Sequence, residues 1–268
     1  MSRHLAFQDL HQTGCFVMPN PWDIGSAKLM AAKGAVALAT TSAGHAFTLG
    51  KPDMGFVTRD EALLHAAEIV AATPLPVNGD LENGYGDAPE TVAETIYLAA
   101  EAGLSGASIE DTTMQTDELS YPFELAVERV AAGVKAARDL GRPFMFTARA
   151  DGVMIGAYDI EEAIRRAQAF AKAGADVIYM PIPEKMDDLA RLCAAVDKPV
   201  NGLAAGPYLH HKVEDFAAAG VRRISLGSAI ARATHRVMDD ALSAMLDEGS
   251  FAPLQRSISG DKIDNMLK

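Results

Sequence analysis

Short apolar runs rich in β-formers alternate along the chain with longer stretches in which apolar residues recur every three or four positions. That alternation predicts repeated βα units around a parallel sheet. The strand candidates are Cys15 to Met18, Ala35 to Thr40, Pro76 to Gly79, Gly106 to Ile109, Phe144 to Ala148, Val177 to Met180, Pro199 to Gly202 and Arg223 to Leu226. Helices are expected to begin near Ile24, Arg59, Pro89, Phe123, Ile160, Met186, Leu209 and Ser228. Ala-Gly pairs at 102–103, 173–174 and 219–220 stand just before strands, where glycine can end a helix in the left-handed conformation. Eight such units in 268 residues point to a closed (β/α)8 TIM barrel, with an open doubly wound sheet as the alternative. No linker, low-complexity stretch or charge block divides the chain, so residues 1–268 read as one domain.

Composition narrows the partners. An apolar fraction of 49% supplies a sizeable core, and 24 basic against 36 acidic residues leave a formal charge of -12. Such a surface argues against nucleic acid or an anionic membrane as partner. No apolar stretch approaches the roughly 20 residues of a membrane span, and no signal-peptide core follows Met1, so a cytoplasmic protein is expected. Cys15 and Cys193 lack the spacing of a zinc or redox pair and read as small buried hydrophobes.

The chemistry gathers where strands end. Asp80 and Glu82 follow the third strand candidate and open onto Asn83-Gly84-Tyr85-Gly86, while Glu110 and Asp111 follow the fourth. Neighbouring parallel strands would aim these carboxylates at one point, and oxygen ligands of this kind suit a hard divalent cation such as Mg2+. Arg149, at the end of the fifth strand candidate, presents a planar fork of donors and is the expected anchor for a substrate anion; an ion pair with Asp151 is its structural alternative. Gly227-Ser228 could hold phosphate at a helix start, and His210-His211 reads as solvent-exposed capping.

Several of these segments resemble the isocitrate lyase and phosphoenolpyruvate mutase superfamily. The resemblance rests on Thr41-Ser42-Ala43 with Leu49-Gly50-Lys51-Pro52-Asp53, on Asp80 through Gly86, on Ile109-Glu110-Asp111, on Thr147-Ala148-Arg149-Ala150-Asp151, and on Pro199-Val200-Asn201. It implies a barrel that binds Mg2+, with Mn2+ as a substitute, and cleaves or forms C–C or P–C bonds of small oxo- or hydroxycarboxylates. By the same resemblance Asp80 is the direct metal ligand, and Glu82 and Glu110 hold the metal through water. Thr41, Ser42, Ala43, Arg149 and Asn201 take the substrate, with Asp53 near the reacting centre. A homotetramer or homodimer is implied, the last helix packing on a neighbouring barrel.

The departures matter as much. Isocitrate and methylisocitrate lyases carry a Lys-Lys-Cys-Gly-His or Lys-Arg-Cys-Gly-His loop after the fourth-strand acids, and this chain has residues 112–120, Thr-Thr-Met-Gln-Thr-Asp-Glu-Leu-Ser, instead. Phosphoenolpyruvate mutases place a lysine and an asparagine there, which are also missing. The expected activity is therefore a Mg2+-dependent lyase that decarboxylates, or cleaves by retro-aldol chemistry, a small acid through an enolate. P–C cleavage of a phosphonate and a non-catalytic ligand-binding barrel are the alternatives. Asp53, Glu110, His45 and Tyr85 are the acid–base candidates, and Asp53, Glu110, Arg149 and His45 form the expected catalytic set.

Overall fold

The computed structural model describes residues 2–115 and 117–268. In chain order the elements are α1 (Arg3–Leu10), β1 (Phe16–Met18), α2 (Ile24–Ala32), β2 (Leu38–Ala39), α3 (Ser42–Thr48), α4 (Arg59–Ala72), β3 (Val77–Asp80), α5 (Pro89–Glu101), β4 (Gly106–Glu110), α6 (Phe123–Asp139), β5 (Met145–Arg149) and α7 (Gly152–Ile155). They continue with α8 (Ile160–Lys172), β6 (Val177–Tyr179), α9 (Met186–Ala195), β7 (Val200–Leu203), α10 (Val213–Ala218), β8 (Arg223–Ser225), α11 (Ala229–Glu248) and α12 (Gly260–Leu267). All strands are parallel, in the order β1-β8-β7-β6-β5-β4-β3-β2. The Ala39 amide donates to the Pro19 carbonyl at 3.1 Å and draws the two ends of the sheet together, so the strands form a nearly closed (β/α)8 TIM barrel.

Local chemistry accounts for the helices. Thr58 and Glu61 exchange side-chain and backbone bonds in a capping box that starts α4, and Asp23 with Ser26 does the same for α2. In α8 the buried residues Ala163, Arg166, Ala167 and Phe170 lie at helical spacing on the face turned to the barrel. Packing also explains Gly133 on α6, since a Cβ there would lie 2.3 Å from Phe146 of β5. Glycine lets α6 approach the strand layer.

Three expectations need correction. The second strand is confined to Leu38–Ala39, with Val36 46% exposed rather than in the ladder. The helix expected at Leu209 begins at Val213, because Gly206–His210 winds into a 3₁₀ turn first. A helix also covers Ser42–Thr48, a stretch outside the helices expected from the sequence. The last long helix, α11, buries only Ala231 and Ala241 and leaves Ile230, Val237, Met238, Leu242 and Leu246 exposed. No helix among the described residues is long and apolar enough to cross a membrane.

Candidate active site

β3, β4 and β5 end side by side, and their last residues build the site. The register pairs Glu110 of β4 with Arg149 of β5 and Asp80 of β3 with Ser108 of β4. Arg149 donates to Asp80 Oδ1 at 2.6 Å and to Asp151 through Nε and Nη2, and its Nη2 lies 2.8 Å from Glu110 Oε2 as an ion pair. Asp80 is held on its other oxygen by the Ser42 amide (2.9 Å) and hydroxyl (3.0 Å), and its own amide donates to Thr40 Oγ1 at 2.8 Å. Thr112 donates to Glu110 Oε1 at 2.6 Å. Thus the first turn of α3 and the ends of three strands are tied through Asp80, Glu110 and Arg149.

Glu82 joins from the loop after β3. Its backbone is left-handed (φ 46°), as is that of Tyr85 (φ 64°), with Gly84 between them at φ 84°. A side-chain-bearing residue in that region costs on the order of 1–3 kcal/mol, so the turn is held by its surroundings. The Glu110 amide donates to the Glu82 carbonyl (2.9 Å), the Tyr85 amide to Asn83 Oδ1 (3.0 Å) and Thr95 Oγ1 to the Gly84 carbonyl (2.8 Å). Glu82 Oε1 accepts from the Gly55 amide at 3.3 Å, which links it to the segment carrying Asp53.

The electrostatics show a shortage of positive charge. Burial first, and the Asp80 and Asp53 charges next, push Glu82 up to about 7. Burial likewise raises Glu110 to about 8, and the Asp151 and Asp80 charges add to it even though Arg149 is beside it. Asp151 rises to about 6 from burial, with Arg149 opposing, and Asp53 is raised by burial and by Asp80. Tyr85 is held well above its ordinary value by burial and by Glu82, so it stays protonated. One guanidinium therefore serves Asp53, Asp80, Glu82, Glu110 and Asp151. An oxygen-only donor set short of positive charge fits a hard cation. Among the described residues no group of three acids, imidazoles or thiols closes on one point.

Other expected site residues lie elsewhere or play other parts. Asp111 turns away from the cluster, because successive residues of an extended segment face opposite sides. It accepts from Arg166 Nη1 (2.9 Å), the Tyr158 hydroxyl (2.7 Å) and the Asp151 amide (2.9 Å). Thr41 caps α3 by accepting from the Gly44 amide at 3.2 Å, and Ala43 is packed in the first turn. His45 is buried and stacks on His65 with ring centroids 3.9 Å apart. Burial and then His65 lower it to about 4, so it is neutral at pH 7, and none of the clustered acids is among the groups that shift it. Asn201 sits inside the barrel, bonded to Ser225 Oγ (2.9 Å) and Arg223 Nε (2.7 Å). Nearer the rim, the Tyr179 ring of the neighbouring strand lies 5.1 Å from the Arg149 guanidinium. In the loop after β4, Thr112 and Ser120 form an isolated bridge, and Thr116 lies outside the described residues.

A cavity of about 700 Å³ opens beside Glu82, between the Gly55–Asp60 segment and Thr113–Gln115. The site so built is that of a (β/α)8-barrel enzyme with an acidic centre at the carboxyl ends of its strands. The chain belongs to the phosphoenolpyruvate phosphomutase family, whose sequence profile matches residues 7–246. It is 33% identical over 228 residues, 84% of this chain and 82% of the relative, to an uncharacterized protein of Mycobacterium tuberculosis H37Rv. It is 32% identical over 200 residues to an oxaloacetate decarboxylase of Rhodopseudomonas palustris BisB18, covering 73% of this chain and 68% of that one. A Burkholderia cenocepacia J2315 crystal structure described as a lyase/mutase superposes with a TM-score of 0.95 at 46% identity, over 98% of this chain and 94% of the other.

Proposed function

We propose that this protein is a Mg2+-dependent carbon–carbon lyase acting on a small 2-oxo- or 2-hydroxycarboxylate through an enolate. Decarboxylation of a β-keto diacid is the reaction its loops suit best. The observation that carries this reading is the carboxylate cluster around Arg149, which is short of positive charge and offers only oxygen donors. Asp80, Glu82 and Glu110 would hold the cation, Asp80 directly and the two glutamates through water. Mg2+ bound there would act as a Lewis acid that stabilises the enolate charge.

The protein's own groups then have simple tasks. Arg149 faces the cluster and fixes the orientation of a bound anion, while the Ser42 amide and hydroxyl can take a substrate carboxylate in exchange for Asp80. Gly55 and Met114, which approach closely, bring the two loops together at the edge of the cavity. Loss of CO2 requires no base, which agrees with a loop after β4 that offers no cysteine, lysine or histidine. Asp53, with its carboxyl raised by burial, is the group suited to return a proton to the enolate. A phosphonate would call for a further cation, and among the described residues the ion pairs of the cluster involve Arg149 alone. The exposed apolar row on α11 supports assembly into a homodimer or homotetramer, which light scattering after size exclusion would measure.

The test is a proton NMR time course with Mg2+ and a panel of oxaloacetate, 2-substituted malates, methylisocitrate and phosphonopyruvate. Consumption of one carboxylate, stopped by chelator and strongly slowed in Glu82→Ala, is expected. Turnover of phosphonopyruvate alone, or turnover indifferent to chelator, would overturn the reading.

A further inference from the structure

Arg129 lies on α6, and its guanidinium is buried, with 2% of the residue exposed. Among the described residues its hydrogen bonds run to backbone carbonyls of one loop: Nη1 to Gly86 (2.6 Å) and Asp87, and Nη2 to Asn83. Its face lies 4.0 Å from the centroid of Tyr121. The Tyr121 hydroxyl donates to Asp87 Oδ1 at 2.7 Å and accepts from Asn83 Nδ2 at 2.9 Å. A cation and a phenol thus clamp both ends of residues 83–87, the segment that begins one peptide bond after Glu82.

Taking a guanidinium out of water without a carboxylate bonded to it is expensive, and the carbonyl dipoles are its main compensation. A planar fork can reach several carbonyls at once, which a lysine ammonium on a flexible stem does less well. The clamped turn includes the left-handed Tyr85 and directly follows the left-handed Glu82, conformations that persist only when neighbours enforce them. Releasing the clamp would let the turn relax and swing the Glu82 carboxylate away from Asp80 and Glu110.

We propose that Arg129 is a positioning residue that sets the cation affinity of the site by fixing the Asn83–Asp87 turn and, through it, Glu82; this rests on the cation reading above. The test is Mn2+ binding, followed by electron paramagnetic resonance, to the wild type, Arg129→Lys, Arg129→Met and Tyr121→Phe, with folding checked by circular dichroism. Gly133→Ala is the control, a packing change on the same helix whose added methyl meets Phe146 and Val92 and reaches neither Arg129's carbonyl partners nor the acids. Affinity is expected to fall about tenfold in Arg129→Lys and about 100-fold in Arg129→Met, the range seen when groups that orient metal ligands are removed. Tyr121→Phe should weaken binding less, and Gly133→Ala should lower the melting temperature without changing affinity. Should Arg129→Met fail to fold, Arg129→Lys and Tyr121→Phe decide. Wild-type binding with folded Arg129 variants within twofold of it would overturn the positioning role alone. No Mn2+ binding by the wild type would overturn the cation reading and this proposal together.

Discussion

Replacing Arg149 with methionine keeps an unbranched apolar stem and deletes the charge that Asp80, Glu110 and Asp151 share. Removing one partner of a buried ion pair usually destabilises by about 3–5 kcal/mol, because the charge left behind has neither water nor counter-ion. Here the acids have a way out, which is to bind protons. Glu110 at about 8 and Asp151 at about 6 are already displaced upward, and loss of Arg149 would move them further. An acid whose folded value is raised stabilises the fold below its unfolded value and loses that contribution as pH rises through the folded one. The penalty of Arg149→Met should therefore grow with pH, from about 1 kcal/mol near pH 5 to about 4 kcal/mol near pH 8.5. At about 2 °C per kcal/mol for a chain of this size, the melting temperature should drop by about 2 °C and about 8 °C respectively. Scanning calorimetry of both proteins in chelator, at the two pH values, measures this. An equal drop at both, or none at the higher pH, would refute the reasoning.

Other consequences follow from the same geometry. Glu82→Gln should raise the Mg2+ concentration for half-maximal activity by about 10–100-fold, read from a metal titration of the rate. Because Glu82 titrates near 7 and Glu110 near 8, the metal-free wild type should lose stability as pH rises from about 5 to about 8, and saturating Mg2+ should flatten that slope in thermal melts. His45→Phe should leave Mg2+ affinity unchanged and the rate within about tenfold, since a neutral imidazole stacked on His65 offers no general acid–base step at pH 7; steady-state kinetics would check it. Gly133→Ala should destabilise by about 1–3 kcal/mol in urea denaturation, because the added methyl meets the Phe146 ring.

The barrel and most of its acids were legible because both follow from local pattern. Strand runs ending in Asp80, Glu110 and Arg149 place their last side chains at the rim whatever the loops do. Harder to see was which of two adjacent acids points inward: Glu110 and Asp111 look alike in sequence, and only strand alternation with Arg166 on α8 separates them. The helix at Ser42–Thr48 carried a signal in Thr41 as its cap, but Gly44 and the shortness of the run hid it. Arg129 carries no such signal, because an arginine among Glu128, Val130 and alanines on a helix reads as a solvated residue. Its burial appears only once the Asn83–Asp87 loop folds over it.

The central claim is that the rim cluster takes a divalent cation together with an enolate-like anion. Isothermal titration of the wild type with oxalate, a flat mimic of an enolate acid, in the presence of Mg2+ and then of chelator tests it most directly. Oxalate should bind one site per chain with Mg2+ and be lost with chelator or in Glu82→Ala. Oxalate binding of equal strength with and without Mg2+, or none in either case, would contradict it.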